Sequence, residues 1–142
     1  MQLKRYTDYA LRILLYLGAH PDEVVSVSRI ASAYGVSRHH LLKVANGLVT
    51  SGLVTSFRGS GGGLRLAVSA EAINVGEVVR SMEGERPVID CSQPPCPIVP
   101  ACHLQQVLLE AQQDFLARLA QYTLADLMRG KRRQLVALLA NS

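Results

Sequence analysis

Two stretches decide the fold, Val27-Ser-Arg-Ile-Ala-Ser-Ala-Tyr-Gly-Val-Ser-Arg-His-His-Leu-Leu-Lys43 and Arg58-Gly-Ser-Gly-Gly-Gly-Leu-Arg-Leu66. In the first, a short helix is predicted over residues 27–33 and a tight turn over residues 34–36. Ser37 is a typical N-cap for a second helix that extends to about Ser51. A glycine-containing turn between two helices sets the angle at which the second helix can enter a DNA major groove.

The second stretch is the tip and returning strand of a predicted β-hairpin. Residues 53–57 and 64–68 form two alternating segments around a glycine-rich tip. Glycine-rich loops also bind nucleotide phosphates, but here no Gly-Lys-Ser/Thr follows and the strand–loop–helix order is absent. Helix, turn, capped helix and glycine-tipped hairpin, in this order, predict a winged helix-turn-helix, a mainly α fold with one small β-hairpin.

The exposed side of the second helix supplies the candidate DNA contacts. Arg38 and Lys43 can bind guanine edges or phosphates, and His39 and His40 can bind either more weakly. The alternative for the two histidines is that they are solvated helix residues without a role in DNA binding. In the hairpin, Arg58 is the expected probe of a narrow minor groove, because glycines let the backbone approach the duplex. The predicted contacts are Ser37, Arg38, His39, His40 and Lys43 on the helix, with Arg58, Ser60, Gly61 and Arg65 on the hairpin.

The charge distribution agrees with a polyanion partner. Residues 1–66 carry eight Lys or Arg against three acids, and the whole chain has a formal net charge of +4. Phosphate neutralisation supplies most non-specific nucleic-acid affinity, although charge alone would equally fit a solvated basic surface.

The sequence contains no nucleophile–base pair and no nucleotide-binding motif, so an enzyme is not expected. No apolar run reaches the ~18 residues of a membrane span, and the N-terminus lacks a signal-peptide core, so a soluble cytoplasmic protein is expected.

Helices flank this core on both sides. Residues 8–18 are apolar nearly all round and predict a buried helix, with Thr7 as cap and Gly18 as stop. Asn74 with Glu77 predicts the start of a helix that runs through Met82. Apolar residues at helical spacing from Leu104 to Tyr122 predict a long helix, and a short closing helix over residues 124–128 is expected after a Thr123–Asp126 cap.

All three cysteines of the chain lie in Cys91-Ser-Gln-Pro-Pro-Cys96-Pro-Ile-Val-Pro-Ala-Cys102. The prolines remove backbone donors and stiffen the loop. Three thiols cannot all pair as disulfides, and soft thiolates are ligands for metal centres. Zinc bound with the help of His103 is one alternative, although structural zinc sites usually have tighter cysteine pairs. A metal-free thiol redox sensor is another.

These residues together resemble the bacterial winged-helix iron–sulfur transcriptional regulators. The resemblance covers residues 1 to about 128 and rests on the cysteine trio, the glycine-rich hairpin and three further segments: Leu11-Arg-Ile-Leu-Leu-Tyr-Leu-Gly18, Ile73-Asn-Val-Gly-Glu-Val-Val79 and Tyr122-Thr-Leu-Ala-Asp-Leu127. The C-x4-C-x5-C spacing and the opening Tyr6-Thr-Asp-Tyr9 are closer to the nitric-oxide-sensing members than to the cluster-assembly regulators. The latter have a histidine three residues after the last cysteine, where this chain has Gln105.

The resemblance implies a homodimer that binds a palindromic double-stranded operator through two winged-helix heads. It implies one iron–sulfur cluster per subunit, with 4Fe–4S favoured and 2Fe–2S possible, held by Cys91, Cys96, Cys102 and, as fourth ligand, Asp8 of the partner subunit. A plain alternative for Asp8 is a favourable interaction with the dipole of the first helix. The expected domains are a winged-helix head (1–83), a cluster loop (84–102), a dimerisation helix with its cap (103–128) and a basic tail (129–142).

The function expected from this resemblance is nitric-oxide-responsive repression. The cluster-loaded dimer would bind DNA and release it when nitric oxide attacks the cluster or the cluster is lost. A regulator of iron–sulfur or iron homeostasis, or a metal-free thiol sensor, are the alternatives.

Overall fold

The computed structural model describes residues 1–140 of the 142-residue chain. It is mainly helical, with one antiparallel two-stranded hairpin, and the predicted winged-helix fold class is confirmed. None of the helices in the described range is long and apolar enough to cross a membrane. The elements are α1 (Arg5–Ala19), α2 (Val27–Tyr34), α3 (Arg38–Thr50), β1 (Val54–Phe57), β2 (Gly63–Leu66), α4 (Val75–Glu83), α5 (His103–Leu119), α6 (Leu124–Met128) and α7 (Arg132–Ala140).

Helix α1 is the centre of the core, because it packs against α3, α4, α6 and the hairpin. Its inward-facing apolar residues are at most 3% exposed, whereas Leu11 and Leu15 on its other side are only partly buried. The inward-facing residues meet α3 through Leu41 and Leu48, and α6 through Leu124 and Met128. The orientation of the second helix of the helix-turn-helix is therefore fixed by its contact with α1.

The predicted caps hold at α4 and α6, Ser26 supplies a cap for α2 that the sequence did not single out, and both predicted ends of α1 were wrong. Ser26 and Asn74 cap α2 and α4 by accepting hydrogen bonds from backbone N–H groups, and Thr123 with Asp126 forms a complete capping box in front of α6. Thr7 was wrong as the cap of α1, since this helix begins at Arg5 and its N-cap is Lys4, three residues earlier. Gly18 was wrong as the stop, because it lies inside α1, where a Cβ would be 2.7 Å from the Met128 Cε, and the helix ends at Ala19. Thr7 instead lies inside the first turn, and its side chain is completely buried.

The hairpin pairs Val54 with Leu66 and Phe57 with Gly63. A backbone bridge from Val25 extends it on one side, with reciprocal hydrogen bonds of 2.9 and 2.7 Å to Leu64. Val25, two residues before α2, thus holds the returning strand and ties the wing to the helix-turn-helix.

The C-terminal stretch, for which the sequence defined no element, contains the helix α7. Leu135, Val136 and Leu139 pack against the core, and α7 contacts α1 and α2. The Arg132 guanidinium donates a hydrogen bond of 3.1 Å to the backbone oxygen of Ala19 at the end of α1. The predicted tail was taken to residue 142, and its last two residues lie outside the described range.

Candidate functional site

The exposed face of α3 carries the residues expected to contact DNA. Its opposite face is buried through Leu41, Val44, Ala45 and Leu48, so the helix is fixed with its polar side outward. Ser37 lies at the N-cap position without a side-chain capping hydrogen bond. All five predicted helix positions are exposed: Ser37, Arg38, His39, His40 and Lys43.

Arg38 differs from its neighbours because its side chain is already engaged. Its Nε donates a hydrogen bond of 2.9 Å to the Ser28 hydroxyl on α2. The rings of His39 and His40 lie 6.1 Å apart with a tilted geometry. Arg38 therefore connects the two helices of the helix-turn-helix, while Lys43 is exposed on α3 five residues further along.

The hairpin presents the second group of predicted contacts. Arg58, Ser60 and Gly61 lie exposed at its tip. Arg65 is exposed on β2 between buried Leu64 and half-buried Leu66, and its guanidinium lies 5.2 Å from the centre of the Phe57 ring. This cation–π contact holds the Arg65 charge on the wing surface beside the tip.

The glycines of the wing have two different roles. Gly59 and Gly61 have φ of 91° and 74°, and a Cβ at either position would meet open space. At Gly63, where φ is 157°, a Cβ would lie 2.3 Å from the backbone oxygen of Val25. The sequence explained all these glycines by close approach to the duplex. For Gly63 the structure shows a different reason, since the close neighbour is the chain's own backbone.

The cysteine loop lies between α4 and α5. It is stabilised by a hydrogen bond of 3.0 Å from the Cys96 N–H to the Cys91 oxygen and by a short 3-10 turn over Val99–Ala101. Cys102 is the N-cap residue of α5. All three cysteines are free and half-buried, so none of them is enclosed in the core.

The thiols influence one another electrostatically. Burial raises the pKa of Cys91, and the neighbouring Cys96, Cys102 and Asp90 raise it further. Within residues 1–140, no group of three or more His, Cys, Asp or Glu side chains lies together closely enough to hold a metal ion. The structure therefore places the predicted thiol ligands in one electrostatic neighbourhood without gathering them into a coordination shell, and the same holds for the set that adds His103.

The donor set is chemically suited to a soft metal centre. Repulsion among nearby thiolates is what a bound cation would relieve, and thiolates are the usual ligands of iron–sulfur clusters. Three thiols leave one ligand position to be filled from elsewhere. The residue types therefore suit an iron–sulfur group with one outside ligand, although the three thiols are not gathered into a coordination shell in this structure.

Asp8, the candidate outside ligand, lies in the first turn of α1. Its carboxylate accepts a hydrogen bond of 2.8 Å from Arg12, and its side chain is 42% exposed. This ion pair raises the pKa of Arg12. Asp8 is therefore held at the surface of the head by a neighbour one turn away.

Helix α5 exposes an apolar side. None of its residues is buried, and Leu104 and Val107 are 61% and 44% exposed. Its main contact with the head is with α4. This apolar side is the one expected to form the dimer.

Sequence reasoning missed Glu83 and the residues that contact it. The Glu83 carboxylate accepts hydrogen bonds from the Lys4 backbone N–H at 2.8 Å and from the Thr7 hydroxyl at 2.5 Å. Its only sequence signal is its position as the last residue before Gly84, where the cysteine loop begins. A contact between residues that are 76 positions apart leaves no periodic pattern.

The winged head, the thiol loop and the exposed helix define a DNA-binding regulator of the winged-helix class. Residues 3–130 match the model of the Rrf2 family, described as iron-dependent transcriptional regulators. The chain belongs to the Rrf2 family of transcriptional regulators.

Solved structures of similar proteins agree with this assignment. The chain is 26% identical to CymR (YrzC), the global cysteine regulator of B. subtilis, with a TM-score of 0.68 and coverage of 89% of this chain and 95% of the other. It is 26% identical to the oxidised form of Staphylococcus aureus CymR, with a TM-score of 0.71 and the same coverages. It is 25% identical to T. potens IscR, with a TM-score of 0.71 and coverage of 91% of this chain and 87% of the other. The relatives thus include both a cysteine regulator and IscR.

Proposed function

We propose that this Rrf2 regulator is a nitric-oxide-responsive repressor of the NsrR type. It binds a palindromic operator as a homodimer when its cysteine loop carries an iron–sulfur cluster, and it releases the operator when the cluster reacts with nitric oxide or is lost. The observation that carries the proposal is the group of three free thiols in one loop, placed between the DNA-binding head and the exposed apolar helix.

Each residue has a defined part in this proposal. Cys91, Cys96 and Cys102 would hold the cluster, and Asp8 of the partner subunit would supply the fourth ligand. When bound, the cluster supplies iron that reacts with small molecules such as nitric oxide, and its oxygen-ligated iron is the most labile position. The 4Fe–4S form suits the proposal best, with 2Fe–2S as the other form.

The chain's own residues would convert the loop state into DNA affinity. The loop follows α4, which packs on α1, and α1 packs on α3. A ligand contributed by Asp8 would also connect the first helix of one subunit to the loop of the other. Because a dimeric reader needs its two recognition helices about 34–36 Å apart, a small rotation of the heads would remove specific binding.

The test is metal analysis of protein purified without oxygen. We expect iron and sulfide in similar amounts, a visible absorbance that nitric oxide bleaches, and loss of operator binding in the same titration. Cys96→Ser is expected to abolish the absorbance and Asp8→Ala to weaken cluster retention, while Ser92→Ala in the same loop leaves both unchanged. A cluster whose loss leaves the DNA affinity unchanged contradicts the proposal.

A metal-free thiol sensor is the second candidate function. It is supported by the half-buried free thiols and by the likeness to CymR, of which an oxidised form has been solved. Colourless protein without metal, whose DNA affinity changes on thiol oxidation, would favour this function. Zinc in place of iron would favour a structural metal, and an iron–sulfur protein insensitive to nitric oxide would favour a homeostasis regulator.

A further inference from the structure

The cysteine loop is attached to the head at Glu83, the last residue of α4. The Glu83 carboxylate accepts hydrogen bonds from the Lys4 N–H and the Thr7 hydroxyl, and its backbone oxygen accepts one from the Lys4 ammonium. Thr7 is the buried polar side chain of the described core, so its hydroxyl depends on this partner. Gly84, with φ of 73°, then turns the chain into the loop.

The same turn of α1 contacts the recognition helix on its other side. Tyr6 lies between Lys4 and Thr7, and its hydroxyl lies against Gly47 of α3. A Cβ at Gly47 would be only 1.9 Å from the Tyr6 oxygen, so this contact requires glycine. Gly47 is one helical turn beyond Lys43, a predicted DNA contact.

We propose that Glu83, Thr7 and Tyr6 form a latch that transmits the state of the cysteine loop to α3 within a single subunit. Glu83 is the positioning residue of this latch. It is neither one of the predicted DNA contacts nor one of the predicted cluster ligands. A loop rearrangement that moves Glu83 either breaks its hydrogen bonds or moves the first turn of α1, and through Tyr6 it changes the position of α3. The latch rests on the proposed function only in taking the cysteine loop as the sensor.

The geometry gives the cysteine loop a direct connection to the first turn of α1. Glu83 connects two segments that are 76 to 79 positions apart in sequence, and the connection lies at the one point where the loop leaves the core. Packed elements joined in this way shift between discrete arrangements and do not deform gradually. Demonstrating such coupling requires a comparison of two loop states with and without the latch.

The experiment compares operator affinity of the full chain in two loop states, cluster-loaded and metal-free. Glu83→Ala is expected to reduce the ratio of the two affinities by roughly tenfold. Glu83→Gln keeps an acceptor oxygen and is expected to retain most of the ratio. Glu77→Ala, which removes the same charge from the exposed side of α4, is the matched control and is expected to leave the ratio unchanged.

Gly47→Ala tests the other end of the latch. Alanine favours helix over glycine, so this variant is expected to keep the fold while displacing Tyr6. The affinity ratio should fall as it does in Glu83→Ala, and the double variant should be no worse than either single one. A normal ratio in Gly47→Ala overturns the proposal even when Glu83→Ala fails to fold.

A spectroscopic readout separates coupling from DNA binding itself. In 3-fluorotyrosine-labelled protein, the ¹⁹F resonance of Tyr6, assigned with Tyr6→Phe, is expected to shift when the loop changes state and to remain still in Glu83→Ala. Alkylating the thiols with iodoacetamide changes the loop state in protein that binds no cluster, so the latch is tested even when the proposed function fails. An unchanged Tyr6 resonance in wild-type protein, or loss of iron from Glu83→Ala, overturns the latch.

Discussion

Individual basic side chains on α3 and the wing are expected to recognise DNA in different ways. Lys43→Ala should weaken discrimination at major-groove positions, by about 1–3 kcal/mol for a guanine contact. Arg58→Ala should weaken binding mainly at A·T-rich positions, where a narrow minor groove attracts arginine. The measurement is the affinity of each variant for a selected operator and its point variants at fixed salt.

The control for this prediction is Arg133→Ala, which removes an exposed charge from α7. It should leave the base preference unchanged. Uniform losses in Lys43→Ala and Arg58→Ala, each with a salt dependence lowered by about one phosphate contact, would contradict the prediction and identify both residues as phosphate anchors.

At the residue scale, the sequence could predict exposure better than long-range contact. The DNA-facing positions of α3 follow from helical periodicity, because the apolar side must be buried. Thr7 looked like a cap, and nothing nearby indicated that its hydroxyl would meet Glu83. Gly63 looked like a wing glycine, and its contact with Val25 connects segments that no local pattern relates.

At the scale of elements, the wing depends on the Val25 bridge. Gly63→Ala is expected to destabilise the fold more than Gly61→Ala. Both place a side chain at positive φ, at a cost of about 1–2 kcal/mol, but only Gly63→Ala also collides with backbone. The measurement is the free energy of unfolding from urea denaturation. Equal losses in the two variants would contradict the prediction, because they would show that the Val25 backbone moves away from the new side chain without a loss of stability.

The elements themselves were predictable to the extent that their ends carry caps. The Thr123–Asp126 capping box was anticipated residue for residue, because both hydrogen bonds lie within four residues. The helix α7 was not, since its three packed residues span little more than a turn and its stability comes from α1 and α2. Tertiary packing creates an element there that local sequence does not define.

At the scale of the whole molecule, the exposed apolar side of α5 is the surface on which we expect a second copy to pack. An apolar helix side that the chain itself leaves uncovered is stable in water when a second copy covers it. The sequence predicted this helix from its apolar spacing, and the structure places it away from the core with no buried residue. The sequence cannot define the relative position of two heads, because that depends on contacts between two chains.

The resulting prediction concerns the double variant Leu104→Glu, Val107→Glu. We expect it to fold normally, because both side chains are exposed in the single chain, and to be monomeric by sedimentation. Operator affinity should fall by roughly a hundredfold or more, since two linked heads gain at least this factor over one.

The control is Gln113→Glu, which adds a charge at an exposed polar position of α5 and should stay dimeric with normal affinity. A double variant that remains dimeric would place the dimer contact on another surface, and a monomer with unchanged affinity would show that one head is sufficient for operator binding.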